Sequence, residues 1–359
     1  MPMLAAAASR GSAAAREGPA HAGAPTLQRC LASDYLHVIL LPTEACNFRC
    51  VYCYESFALK RMEPWVVSAA KRLIDRRWDG LRRLEISWFG GEPLLAVDIV
   101  EEIQGFVASR RREGGAPAVS SDMTTNASLL TPAVAARLCD VGLDSYQVTF
   151  DGPRRFHDRK RVRAGGRGTY DVVWSNLEAL VGTDLPLRIM VRLHLDQDNV
   201  AAVDEFLGDY RRAFGSDGRF ELFIRGLSRL GGPNDSSLNI LQGDDGRRLL
   251  DAVRRRARAE GIRLARIKEE ACYAAHANSF VVRADGRINK CTVALEHRNN
   301  QVGRIREDGS LALDGGRLRP WLRGLDSGER SELQCPMRGL ADRSAVEKGI
   351  ATIPLRVAG

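Results

Sequence analysis

An α/β fold with parallel strands is predicted by three observations. From Leu36 onward short apolar runs alternate with longer segments of helical periodicity, the alternation repeats close to six times, and neither an internal repeat nor a long linker interrupts it. In order, the pattern predicts a strand at residues 37–41, a helix at 64–78, a strand at 83–89, a helix at 97–111 and a strand at 119–124. It continues with a helix at 132–141, a strand at 145–150, a helix at 170–180, a strand at 187–193, a helix at 200–214 and a strand at 220–224. Such βα units pack with right-handed crossovers and carry their ligand loops at the C-terminal ends of the strands.

The 359 residues can bury a large core, and a prior of roughly 150 residues per domain favours one large unit plus a smaller one. Hydrophobic content of 44% and charged content of 27% are those of an ordinary globular protein. No apolar run approaches the ~18 residues of a membrane span, so a cytoplasmic protein without membrane association is expected. The net charge of +8 comes from scattered groups such as Arg82-Arg83 and Arg110-Arg111-Arg112, read as solvated helix faces. No basic patch interleaved with aromatics favours nucleic acid. Residues 1–33, rich in Ala, Gly, Ser, Pro and Arg, are expected to form a disordered extension. It is similar in composition to a transit peptide, or it reflects an upstream translation start. Eight cysteines without a secretory signal indicate a reducing compartment, where thiolates serve metals. Cys30, in the extension, and Cys139, on an apolar helix stripe, receive no role.

Three of the cysteines fall within eight residues, in Cys46-Asn47-Phe48-Arg49-Cys50-Val51-Tyr52-Cys53. Three thiolates hold three irons of a 4Fe-4S cube and leave the fourth open, whereas electron-transfer clusters and structural zinc prefer four. The alternatives are a half-used zinc knuckle or three unrelated buried thiols. The C-x3-C-x2-C spacing, with aromatic Tyr52 before the last cysteine, resembles the cluster loop of radical S-adenosylmethionine (SAM) enzymes. The resemblance implies a partial (β/α)6 barrel whose open iron is chelated by SAM, with one-electron cleavage giving a 5'-deoxyadenosyl radical that takes a hydrogen atom from substrate.

After the second predicted strand stands Trp88-Phe89-Gly90-Gly91-Glu92-Pro93, two glycines that allow close backbone approach and a carboxylate that can accept from an ammonium. Alone this is a plain turn; here it resembles the family's GGEP motif, which holds the SAM amino group. Thr124-Thr125-Asn126, Val148-Thr149-Phe150-Asp151-Gly152-Pro153 and His157-Asp158-Arg159-Lys160-Arg161 are similar to the TNG, S-x-DGP and HD-x-x-R signatures of the peptide-modifying branch. That likeness implies that Gly90, Gly91, Glu92, Pro93, Tyr52, Asn126, Thr149 and Arg161 form the SAM site, the Arg161 fork suiting a carboxylate. Ala127 departs from the usual glycine and Thr149 from the usual serine.

A second group begins at Cys272 and continues through a hairpin, with strand 279–283, turn Asp285-Gly286 and a strand ending at Cys291, leaving Cys335 in Cys335-Pro336-Met337. It resembles a truncated, twitch-like SPASM extension, a small α+β iron-sulfur unit expected over residues 261–359 beside a barrel over 34–260. Cys272, Cys291 and Cys335 would hold one auxiliary 4Fe-4S cluster; vestigial cysteines or zinc remain the alternative. Thr292 stands where sulfatase-maturating relatives carry an aspartate base, which disfavours formylglycine formation. With few residues before Cys46, no separate leader-binding domain of the usual ~80 residues is expected there.

The resemblance thus implies a radical SAM oxidoreductase modifying a ribosomally made precursor peptide or protein by oxidative side-chain crosslinking, with an external electron donor such as flavodoxin or ferredoxin. A small-molecule substrate and a non-catalytic iron-sulfur or zinc scaffold are the rival readings, and no catalytic side chain is singled out.

Overall fold

The computed structural model describes residues 24–265, 271–293 and 295–340. Its strands are β1 (Tyr35–Leu40), β2 (Phe48–Cys50), β3 (Arg83–Trp88), β4 (Ala118–Thr125), β5 (Ser145–Phe150), β6 (Arg161–Arg163), β7 (Arg188–Leu195), β8 (Phe220–Gly226), β9 (Ser279–Val282), β10 (Arg287–Asn289), β11 (Gln301–Ile305) and β12 (Leu311–Leu313). The main helices are α1 (Ala24–Leu31), α2 (Pro64–Arg77), α3 (Val97–Arg112), α4 (Pro132–Asp140), α5 (Arg154–Lys160), α6 (Tyr170–Val181), α7 (Val203–Phe214) and α8 (Gly243–Ala259).

Ten strands form one sheet in the order β12-β11-β10-β9-β1-β3-β4-β5-β7-β8, and those from β9 to β8 are parallel. This is the partial barrel expected from the strand–helix alternation. Leu36, Val38 and Leu40 of β1 and Leu84, Ile86 and Trp88 of β3 face the helices and join the main core. The alternate residues Ile39, Leu41 and Phe89 form a separate inner cluster with Val281 and Leu295, the two-residue period of a strand covered on both faces. Helix starts follow their chemistry: Pro64 and Pro132 occupy first turns, and the Thr131 hydroxyl accepts from Val134 N.

One expectation needs correction. The stretch assigned to a disordered extension contains α1, which buries Thr26 and Cys30 one turn apart. The Cys30 carbonyl accepts from Ala277 N at 2.8 Å, and Asn278 donates to Ala32 O at 2.9 Å; contacts from distant residues, which composition does not register, offset the entropy of ordering. Residues 1–23 lie outside the described residues. Beyond the boundary expected at residue 260 the chain rejoins the same sheet. β9 is buried along its length and pairs in parallel with β1, Ser279 beside His37 and Val282 beside Leu40, so the hairpin continues the barrel sheet and covers an edge that β1 would otherwise expose. Cys139 is half-buried at the margin of the core.

Candidate functional site

The chain leaving β1 is held from below by the loop after β3. Gly91 N donates to Thr43 O at 3.3 Å and Glu92 N to Ala45 O at 2.9 Å. A Cβ on Gly90, whose φ is +115°, would lie 2.3 Å from Thr43 O, and one on Gly91 2.4 Å from Ala45 O. Only glycines allow the two backbones to meet here. Immediately beyond, Cys50 lies in β2, which pairs with β6 so that Cys50 stands opposite Arg161, and Cys53 N donates to Cys50 O at 3.0 Å.

The three thiols open onto one cavity, and Tyr52, Gly90, Gly91, Asn126, Thr149 and Arg161 also line it. The structure therefore brings together Cys46, Cys50 and Cys53 with six of the eight residues expected around SAM. Burial pushes the Cys46 thiol up to about 12 and Cys53 to about 11, and raises Cys50. The bare loop is thus a set of protonated thiols that would release protons on binding metal.

Glu92 and Pro93 are elsewhere. Glu92 is fully buried, and its carboxylate accepts from Leu94 N at 3.0 Å, Thr125 Oγ1 at 2.7 Å and Asn126 N at 2.7 Å. It ties the end of β3 to the end of β4 and fixes Asn126, whose Nδ2 reaches Asn47 Oδ1 at 2.8 Å and lies 3.9 Å from Cys46 Sγ. Ala127 adopts φ +59°, the left-handed turn that the usual glycine would favour; its carbonyl is held by Asn176 Nδ2 at 2.8 Å.

Arg161 is positioned by a buried network. Its Nη1 donates to the Tyr52 hydroxyl at 2.9 Å, which in turn donates to Asp151 Oδ2 at 2.8 Å. The guanidinium also lies over the Phe48 ring, 5.7 Å from its centroid. Burial would raise the Asp151 carboxyl, yet His194 and the nearby Arg161 hold it down at about 2. Asp151 is therefore ionised. Burial and the neighbouring Arg192 charge lower His194 to about 4, leaving it neutral.

Sequence reasoning missed several cavity residues: Arg192, Glu55, Tyr54 and Phe57 all line it. Burial, then the Glu44 charge, pushes Glu55 up to about 8. Arg192 could have been found from its place in Arg188-Ile189-Met190-Val191-Arg192-Leu193-His194-Leu195, where the residues at odd positions are buried and the even ones less so.

The C-terminal cysteines are assembled differently. Cys272 N donates to Leu333 O at 2.8 Å, two residues before Cys335, while Cys291 N donates to Asn300 Oδ1 at 2.9 Å. Tyr273, whose hydroxyl accepts from Thr292 N at 2.9 Å, has its ionisation opposed first by burial and then by Cys291 and Cys272. Among the described residues no three His, Cys, Asp or Glu side chains close around a single metal ion. The hairpin grips the first cysteine loop through Arg283, which donates to both Glu44 oxygens at 2.8 and 2.6 Å and to Glu296 Oε1 at 2.5 Å. Among the described residues no helix is long and apolar enough to cross a membrane.

The Radical SAM superfamily profile matches residues 40–207. A GTP 3',8-cyclase of Heliobacterium modesticaldum is 34% identical over 179 residues, 47% of this chain and 50% of that protein. The mycofactocin maturase MftC of Mycolicibacterium smegmatis is 28% identical over 171 residues, 46% of this chain and 38% of that protein. The chain thus spans half or less of the length of these relatives. Among solved structures, native anSMEcpe with bound AdoMet and Cp18Cys peptide superposes with a TM-score of 0.62 at 16% identity, covering 80% of this chain and 83% of that one. Streptococcus suis SuiB bound to precursor peptide SuiA gives 0.58 at 15% identity, covering 84% and 69%. At such identities the likeness concerns the fold. The donor set fits the group that this family implies, since three thiols, a guanidinium, a carboxamide and a glycine-lined backbone face one cavity. The match to the Radical SAM superfamily thus takes in the first cysteine loop, the Gly90-Gly91 turn and Arg161, within just under half of the chain.

Proposed function

We propose that the protein is a radical SAM enzyme that modifies a ribosomally synthesised peptide or protein by oxidative side-chain crosslinking. The convergence of Cys46, Cys50 and Cys53 with Gly90, Gly91, Asn126, Thr149 and Arg161 on one cavity carries this reading. The three thiolates would hold a 4Fe-4S cluster. When bound, the cluster and SAM supply a one-electron route to hydrogen-atom abstraction from an unactivated C–H bond. The chain's own residues orient and enclose: Asn126 and Arg161 face the ligand, Tyr52 and Asp151 fix Arg161, and Glu92 fixes Asn126. Cys272, Cys291 and Cys335 would hold an auxiliary 4Fe-4S cluster able to accept the second electron of an oxidative crosslink, and an external flavodoxin or ferredoxin would supply the first.

A peptide partner is supported by the two structural neighbours, which are bound to peptides. A small-molecule substrate is the second reading, favoured by the 34% identity to a GTP cyclase. Against a nucleoside triphosphate stand two inner-face carboxylates, Glu85, held by Tyr35 at 2.7 Å, and Asp122, held by Ser87 at 2.7 Å; they would repel phosphates in the barrel. Anaerobic reconstitution with SAM and a reductant should yield 5'-deoxyadenosine. Co-expression with short peptides encoded nearby should return one of them lighter by two hydrogens per crosslink. Unchanged peptides together with turnover of a nucleotide would replace the peptide reading with the small-molecule one.

A further inference from the structure

The back of the first cysteine loop carries arginines that the fold leaves unpaired. In the β2–β6 ladder Cys50 faces the cavity, so the residue before it, Arg49, points outward. Arg49 is exposed yet held: its Nη1 donates to Cys46 O and to Phe48 O, each at 2.7 Å, and its guanidinium lies 4.5 Å from the centroid of the Phe57 ring. Arg163, opposite Phe48 at the end of the same ladder, is half-buried. Its backbone N donates at 2.8 Å to the carbonyl of Arg167, an exposed residue just after the Gly165-Gly166 turn. Among the described residues no carboxylate pairs with Arg49, Arg163 or Arg167. The cations of the adjoining α5 are treated differently, Arg154 pairing with Asp171, Arg155 with Glu205 and Lys160 with Asp196. Asp158, which reaches the hairpin at Gly168, is occupied by Thr169 N at 2.7 Å and Tyr170 N at 2.8 Å.

The position of these charges narrows what they serve. Arg49 holds the backbone of Cys46 and precedes Cys50, so a partner seated on it is separated from both thiols by a single strand. Asn47 accepts from Ala164 N at 3.0 Å through its carbonyl and donates from Nδ2 to Ser128 Oγ at 2.9 Å, which brings the segment carrying the exposed Leu129 next to the hairpin. Unpaired cations near one apolar side chain suit the small, charge-steered contact of a transient redox partner. Such a rim speeds the encounter with an acidic protein and repels a basic one.

We infer that the β2–β6 hairpin, through Arg49, Arg163 and Arg167, docks an acidic protein that carries a one-electron cofactor and delivers its electron to the group held by Cys46, Cys50 and Cys53, which rests on the radical SAM reading above. The carrier is oxidised by one electron, the group on the three thiolates is reduced by one, and no proton moves. The test uses full-length, anaerobically reconstituted protein, an Arg163→Gln, Arg167→Gln variant and an acidic ferredoxin as the probe. Equilibrium binding is read at low and moderate salt. The KM for reduced ferredoxin in 5'-deoxyadenosine formation is set against the rate with reduced methyl viologen, a small cation that needs no docking surface. At low salt the variant should bind ferredoxin about tenfold more weakly, and its binding should fall less steeply with added salt. Its KM should rise by about the same factor while the viologen-driven rate stays within about twofold of wild type. An Arg111→Gln, Arg112→Gln variant removes the same charge from exposed positions at the C-terminal end of α3, the opposite end of the barrel, and should bind ferredoxin within about twofold of wild type. Unchanged binding in the hairpin variant would hand its arginines to solvent or to an acidic segment of the substrate, equal weakening in the α3 variant would mean attraction by net charge alone, and wild-type protein that binds no ferredoxin would lack the docking surface; each overturns the inference. Wild-type protein that binds ferredoxin but forms no 5'-deoxyadenosine with viologen removes the radical SAM reading instead, a result distinct from these.

Discussion

The two cysteine groups reach their places by opposite routes. Cys46, Cys50 and Cys53 lie within eight residues, and their loop is shaped by its immediate neighbours: β1 before it, the two glycines beneath it and the β2–β6 ladder beside it. Cys272, Cys291 and Cys335 come from three separated segments, and bringing them around one cluster would depend on a hairpin, on the bond from Cys272 N to Leu333 O, and on the packing of the short helix Arg330–Gln334. A local set of donors survives damage elsewhere; a dispersed set requires the whole C-terminal segment to be folded. The Arg283–Glu44 pair, both residues almost fully buried, is where the two regions meet.

Removing the first group should have the largest effect. A Cys46→Ala, Cys50→Ala, Cys53→Ala variant should form no 5'-deoxyadenosine and should lose about four irons by colorimetric assay. Next, a Cys272→Ala, Cys291→Ala, Cys335→Ala variant should fall from about eight irons to about four while still cleaving SAM. Loss of no iron would reduce the C-terminal group to a packing element.

Cutting the link between the regions should cost less than either. Arg283→Leu leaves Glu44 buried without its partner, and a loss of about 3–5 kcal/mol is expected in urea unfolding. Adding Glu44→Leu should recover much of it, since a well-packed apolar pair replaces an ion pair at little cost. No recovery in the double variant would show that Glu44 matters through other contacts.

The smallest effect concerns pH and sits between the regions. His37 of β1 is hydrogen-bonded to Ser279 of β9 at 3.1 Å and to Ser87 of β3 at 3.0 Å, and burial lowers it to about 4. The unfolded chain gains a proton near pH 6.5 and the folded chain does not, so stability present above that pH is lost as pH falls toward 4. At pH 5.5 the contribution is about 1.4 kcal/mol. His37→Asn should flatten the unfolding midpoint between pH 7.5 and 5.5 by that amount; an unchanged slope would assign the pH dependence to His157 and His194, which burial also lowers to about 4.

The same contrast explains what was legible in the sequence. The barrel strands were readable to within a few residues, because the alternation of apolar runs and helical periods is a local property. The cysteine loop and the Gly90-Gly91 turn were readable for the same reason. What escaped reading depends on chain segments meeting in space. β2 and β6 are three residues each, too short for a periodic signal, yet they bring Arg161 opposite Cys50. Glu92 has the composition of a ligand-facing carboxylate, but the backbone of Asn126 claims it. α1 is held by Ala277 and Asn278, some 250 positions away along the chain.

The central claim is that the thiolates of Cys46, Cys50 and Cys53 leave one iron of a cube open for SAM. Electron paramagnetic resonance of the anaerobically reduced Cys272→Ala, Cys291→Ala, Cys335→Ala protein tests it most directly, because a single cluster remains. The account predicts a 4Fe-4S signal whose g values shift when SAM is added. A signal indifferent to SAM, or tightly bound zinc at that loop with no cluster signal, would contradict it.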